Sequence, residues 1–172
     1  MKINLRRVTT GAVLIAAASA FLFCTGFTKA SDHGNHENGY LKSATYYSDD
    51  WVINFWNSES SHMDEELKQI REDGFNSIIL VVPWREFQPS MAPEHYNDYA
   101  WEKFDRVMKA AKAQDLKVML RVGYTWDYYS SENVLARYEK LLYDSETKKA
   151  WLHYAKRLYE KASAYDNFSG GF

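Results

Sequence analysis

Two apolar runs set the pattern of the chain. Ile78-Ile79-Leu80-Val81-Val82 is unbroken, and Val118-Met119-Leu120 continues past Arg121 to Val122. Such runs, without polar alternation, suit strands buried on both faces, as in parallel sheets. Pro83 stops the first and Gly123 closes the second. Trp51-Val52-Ile53-Asn54-Phe55-Trp56 is rich in β-branched and aromatic residues and predicts an earlier strand.

Between these runs the apolar spacing turns helical. Leu67 and Ile70 lie in a helix that Ser61 or Asp64 can cap and that Gly74 ends after Asp73. Trp101, Phe104, Val107, Met108 and Ala111 share one face of a helix over residues 99–114. Trp151, Tyr154, Ala155, Leu158 and Ala162 line one side of a helix over residues 145–165, with Asp144 or Ser145 as its cap. Residues 84–98 and 124–134 read as loops, and residues 167–172 as the turn into another strand.

This alternation of strands and helices implies βαβ units, right-handed crossovers and a parallel sheet. A doubly wound open sheet and a (β/α)8 barrel both satisfy it. No glycine-rich phosphate loop follows the first strand, which removes the main support for a nucleotide-binding open sheet. The strand ends instead carry Trp, Tyr, Arg and carboxylates, and in a barrel these ends form the active face. The expected fold is α/β: a partial (β/α)8 TIM barrel with about the first three βα units and the turn into a fourth strand.

The first thirty residues stand apart. Lys2, Arg6 and Arg7 precede an uncharged apolar run, residues 11–23, and Thr28-Lys29-Ala30 forms a cleavage site before Ser31. This reads as a secretory signal peptide over residues 1–30, with an uncleaved N-terminal anchor as the alternative. The product is then secreted or cell-envelope associated, touching a membrane only through the leader if that is uncleaved. Residues 31–45 read as a polar linker. In it Asp32, His33 and His36 read as a solvated tail, since a short tail lacks rigid ligand geometry. Residues 46–172 form the domain.

Removing the leader changes two properties. It holds four of the 21 basic residues and none of the 23 acidic ones, so the rest is acidic. An acidic exported chain argues against nucleic acid as a partner. The single cysteine, Cys24, lies in the leader, which excludes disulfides and cysteine chemistry from the remainder. No cofactor and no metal site is expected; His62 and His95 have no second ligand at metal spacing.

Three segments resemble a known group. Gly74-Phe75-Asn76-Ser77-Ile78-Ile79-Leu80-Val81-Val82-Pro83-Trp84, preceded by Asp73, resembles the second strand of retaining (β/α)8 glycoside hydrolases of the cellulase and β-galactosidase-like clan. Lys117-Val118-Met119-Leu120-Arg121-Val122-Gly123-Tyr124 is similar to their third strand. Trp101, Asp105 and Ala111 match a helix between the two. The resemblance implies hydrolysis of O-glycosidic bonds in an extracellular polysaccharide through two carboxyl groups. It places the acid/base Glu at the end of the fourth strand, usually after an Asn, and the nucleophile Glu at the end of the seventh. Both lie beyond Phe172, so no catalytic residue is expected here. The chain reads as the N-terminal portion of a barrel of roughly 250 residues, inactive alone. One alternative is a non-catalytic carbohydrate-binding or envelope-associated module, and another a half-barrel that oligomerises.

The strand ends supply candidate substrate-binding groups for an oligo- or polysaccharide. They are Trp56 and Asn57 after the first strand; Trp84, Arg85, Glu86 and Gln88 after the second; Arg121, Tyr124, Trp126, Asp127 and Tyr128 after the third. Aromatic faces stack on sugar rings, while amides, carboxylates and guanidinium groups bind hydroxyls. For Trp84 loop-to-core packing stays open beside stacking. For Glu86 and Asp127 a salt bridge with Arg85 or Arg121 stays open beside hydroxyl binding. Trp126 could instead pin its loop, and Arg121 could orient a carboxylate or pair within the barrel.

Overall fold

The computed structural model describes residues 40–123, 125 and 136–172. The leader, Cys24, His33, His36, Tyr124, Trp126, Asp127 and Tyr128 lie outside the described residues. A parallel four-stranded sheet runs in the order β1 (Ser43–Tyr46), β2 (Ser77–Val81), β5 (Lys117–Arg121), β6 (Phe168–Gly171). Helices α1 (Met63–Glu72), α3 (Asp98–Ala113) and α5 (Ser145–Ala162) connect successive strands. Strand order follows chain order without the reversal that a doubly wound sheet makes at its switch point. The sheet is therefore part of a (β/α)8 barrel, and its fourth strand is formed rather than only approached.

The first strand corrects the sequence reading. Residues 51–56 do not form a strand; Asn54–Asn57 is a 3-10 helix. The strand is Ser43–Tyr46, so the ordered domain reaches back into the stretch read as linker. Asn76 explains why so short and polar a segment pairs. Its side chain accepts from the Lys42 backbone N–H at 2.8 Å and donates to the Tyr40 carbonyl at 2.8 Å, clamping the incoming strand. The hydroxyls of Ser43 and Ser77 meet at 2.6 Å one step further on.

Helix α1 ends as its sequence predicts. Gly74 takes φ +82°, its N–H reaches the Arg71 carbonyl, and the Phe75 N–H reaches the Ile70 carbonyl. These are the two hydrogen bonds of a Schellman cap, which needs a residue tolerant of positive φ. At the other end neither Ser61 nor Asp64 is the cap; His62 holds that position without a side-chain bond. Asn97 caps α3 and Asp144 caps α5 through their side-chain oxygens. The stretch 84–98 is not plain loop: it holds a short helix α2 (Trp84–Phe87) and a hairpin of β3 (Ser90–Met91) and β4 (Glu94–His95). A further helix, α4 (Ala136–Tyr143), precedes α5.

The core lies between sheet and helices. Ile78 and Leu80 from β2, and Val118 and Leu120 from β5, pack with Leu67, Phe104, Val107, Met108, Ala111, Leu158 and Ala162, nearly all fully buried. The motif residues of α3 prove to be scaffold. The Trp101 indole donates to the Phe87 carbonyl at 3.3 Å, and Asp105 accepts from Lys161 and from the Tyr165 hydroxyl, each at 2.7 Å. Those contacts lock α3 to the end of α5.

Candidate functional site

The strands present alternate residues to opposite faces. Ile79 and Val81 of β2 and Met119 and Arg121 of β5 face the side that would be a barrel lumen, as does Thr45 of β1. At the carboxyl ends of these strands a cavity of about 250 Å³ is lined by Thr45, Tyr47, Trp51, Val52, Val81 and Arg121. Arg121, the last residue of β5, is exposed and lies in register with Val81. Trp51 is 56% exposed. An aromatic face and a guanidinium at the mouth of one cavity suit a polyhydroxylated ring: apolar C–H faces stack, and hydroxyls accept from the fork of donors.

The loop that carries Trp51 is held firmly. After β1 the chain turns at Ser48, φ 58°, whose hydroxyl donates to Glu66 at 2.7 Å. The Tyr46 hydroxyl donates to the other Glu66 oxygen at 2.8 Å, and burial together with that carboxylate pushes the phenol well up. Val52 and Ile53 pack on Val81, covering the top of β2. From the opposite side the buried Lys103 of α3 donates to the Phe55 carbonyl and, at 2.7 Å, to the Ser58 carbonyl. Its ammonium also sits 3.9 Å from the Phe55 ring centre. Burial, helped by Arg106, lowers the Lys103 pKa to about 8.

A second network joins the loops after β1 and β2. The Asn57 amide donates to the Glu86 carboxylate, and Asn97 donates to the Asn57 side-chain oxygen at 3.2 Å and to the Glu86 carbonyl at 3.0 Å. Glu86 is only 8% exposed, and burial raises its pKa against the opposing pull of Asn57, Arg85 and Arg137. Arg137 donates to the carbonyls of Gln88 at 2.7 Å and Pro89 at 2.6 Å, and stacks over Trp84. Burial, with Arg85 nearby, lowers its pKa to about 10.

The expected binding groups therefore divide. Trp56 and Trp84 are fully buried and correct the stacking assignment: they are core. The Trp56 indole donates to the Val81 carbonyl at 3.0 Å, and the Trp84 indole to Gln88 at 2.6 Å. Gln88 is fully buried in that bond, so it too is scaffold. Asn57 and Glu86 bind each other, joining the loop after β1 to the loop after β2. Arg85 is half-buried beside Glu86. Of the three strand-end groups, Arg121 lines the cavity described above. Tyr47, Trp51, Lys103 and Arg137 were not singled out from sequence. Placing the first strand at residues 43–46 would have exposed Tyr47 and Trp51 as strand-end aromatics.

Comparison with solved structures finds the same partial barrel. The chain is similar to a GH5_18 variant from Bifidobacterium longum subsp. longum in complex with Manb1-4GlcNAc, with a TM-score of 0.63 at 20% identity over 77% of this chain. A GH5_18 variant from Streptomyces cattleya, also in complex with Manb1-4GlcNAc, gives 0.63 at 17% identity over 77%. The exo-beta-1,4-mannosidase from Opitutaceae bacterium strain TAV5 gives 0.58 at 17% identity over 71%. The chain spans 32%, 33% and 22% of those proteins respectively. No protein-family profile matches the sequence. No curated protein sequence matches it. At these identities the likeness establishes the fold, and the resemblance to glycoside hydrolase barrels seen in the sequence recurs in three dimensions.

Proposed function

We propose that this chain supplies one side of the substrate cleft of an enzyme that hydrolyses O-glycosidic bonds in an extracellular polysaccharide, exported behind residues 1–30. The observation that carries the reading is the cavity at the strand ends, where Arg121, Trp51 and Tyr47 converge. The mannosyl ligands and mannosidase activity of the structural neighbours favour a β-mannoside-containing glycan.

In this reading the reaction is retaining double displacement, performed by two carboxyl groups roughly 5–5.5 Å apart. Glu86 is not assigned to that pair: it is buried against Asn57 and acts by fixing the two loops. The sequence resemblance places the acid/base Glu after the fourth strand, which is β6. The chain's own share is recognition: Trp51 stacks on a ring, and Arg121 donates to hydroxyls or orients a carboxylate across the lumen.

Calorimetric titration of the chain with the disaccharide Manb1-4GlcNAc tests this share. The expected result is binding that both Trp51→Ala and Arg121→Ala abolish or weaken about tenfold. No binding by the wild-type chain, or binding indifferent to both substitutions, refutes the assignment of this cavity.

A further inference from the structure

We propose that a groove at the outer rim of the strand-end face, between the β3–β4 hairpin and the α4–α5 corner, is a second glycan site that takes a neutral oligosaccharide. The choice of a glycan rests in part on the function proposed above; the groove itself is a separate feature. It encloses about 680 Å³, with Met91, Ala92 and Glu94 on the hairpin side and Tyr143, Lys149 and His153 on the helical side. That volume lies in the range of small-molecule sites, about 300–1,000 Å³.

The groove is built rather than incidental. Arg137 of α4 binds the carbonyls of Gln88 and Pro89 just before the hairpin, so its two walls are tied together at the base. Glu94 is held in place: one of its oxygens accepts from Gln88 at 3.1 Å and from the Tyr96 hydroxyl at 2.8 Å. Gln88 is in turn fixed by Trp84, so the carboxylate is braced from the barrel core outward. A braced carboxylate with remaining lone pairs is a ready acceptor for sugar hydroxyls. Tyr143 is 72% exposed, which leaves its ring free to stack.

The lining charges argue for an uncharged ligand. Glu146 pairs with Lys149 at 2.8 Å, and Asp144 is engaged in capping α5 through the Thr147 N–H at 2.8 Å. Lys140 and His153 share the lining with Glu94, Asp144 and Glu146. No excess of cations gathers to hold phosphate, sulfate or uronate groups. The hairpin follows the end of β2 and α4 follows the end of β5, so groove and cleft lie on one face.

The test is a nuclear magnetic resonance titration of the 172-residue chain with mannohexaose, reading backbone amide shifts. Shifts at residues 91–94 and 143–153 are expected, saturating together. Tyr143→Ala should weaken them about tenfold and Glu94→Gln several-fold, while Trp51→Ala leaves them in place. Both substituted side chains are exposed, and unchanged shifts elsewhere verify the fold. Three results overturn the proposal: no shifts at the groove, shifts indifferent to Tyr143→Ala, or tighter binding of oligogalacturonate than of mannohexaose. Loss of shifts at Trp51 and Arg121 alone would remove the cleft reading and leave the groove.

Discussion

The two faces of the parallel sheet differ sharply. Toward the helices, Ile78, Leu80, Val118 and Leu120 are fully buried in an apolar core. Toward the lumen, Thr45 and Arg121 are exposed and Ile79 and Met119 only half-buried, while Val81 is covered by Val52 and Ile53. The helical face is where the described elements satisfy one another, and so where stability resides. The lumen face, apart from Val81 beneath Val52 and Ile53, contributes less burial to the fold, and there Thr45 and Arg121 line the open cavity.

Substitutions on the two faces probe this contrast. The largest effect is expected on the helical side: Leu80→Ala or Leu120→Ala should cost about 2–5 kcal/mol in urea unfolding, from lost burial and a residual cavity. Met119→Ala on the other face should cost less than half as much. Equal losses would show that the lumen side is as tightly packed as the core.

Next comes the fastening of the site loop. Lys103→Met leaves the Phe55 carbonyl without its buried donor, while the Ser58 carbonyl keeps the Tyr99 hydroxyl, an expected loss of about 1–3 kcal/mol. The lysine also gives a pH signature. Its folded pKa, about 8, lies below the ordinary lysine value, so the native state sheds this proton more readily than the unfolded one. Stability from this group therefore rises with pH from about 8 toward 10.5, and that rise should vanish in Lys103→Met.

A smaller effect concerns Glu86. Burial raises its folded pKa, so the native state holds the proton more tightly. Its contribution is greatest below the ordinary carboxylate range and is lost as pH rises through the raised value. Glu86→Gln should flatten that part of the stability profile while keeping an acceptor for Asn57. The smallest stability effect belongs to Arg121→Ala, expected within about 0.5 kcal/mol at this exposed position. The same variant should lose disaccharide binding, which separates recognition from folding.

The sequence exposed those parts of the fold that local pattern controls. Strands β2 and β5 are unbroken apolar runs, and α3 and α5 carry apolar stripes at helical spacing. Strand β1 escaped because Ser-Ala-Thr-Tyr has no such pattern; it is a strand because Asn76 and the edge of β2 receive it, partners some thirty residues away. The run 51–56 misled for the converse reason. Its β-branched and aromatic residues plug the top of the sheet, so tertiary packing overrides their strand preference. The site was legible as a region but not residue by residue. Trp56 and Trp84 sit near strand ends, yet the 3-10 helix and α2 turn them inward, while the loop after β1 leaves Trp51 outward. Which way an aromatic points at a strand end is decided by the next few backbone angles, not by its type.

Under the proposed function this sheet is part of the barrel of a glycan-cleaving enzyme. The most direct measurement is the coding sequence that follows the Phe172 codon. The expected result is a Glu, preceded by Asn, within the next few residues, then further strand–helix units and a second Glu at the end of a later strand. A sequence without a carboxylate at the first position would contradict it.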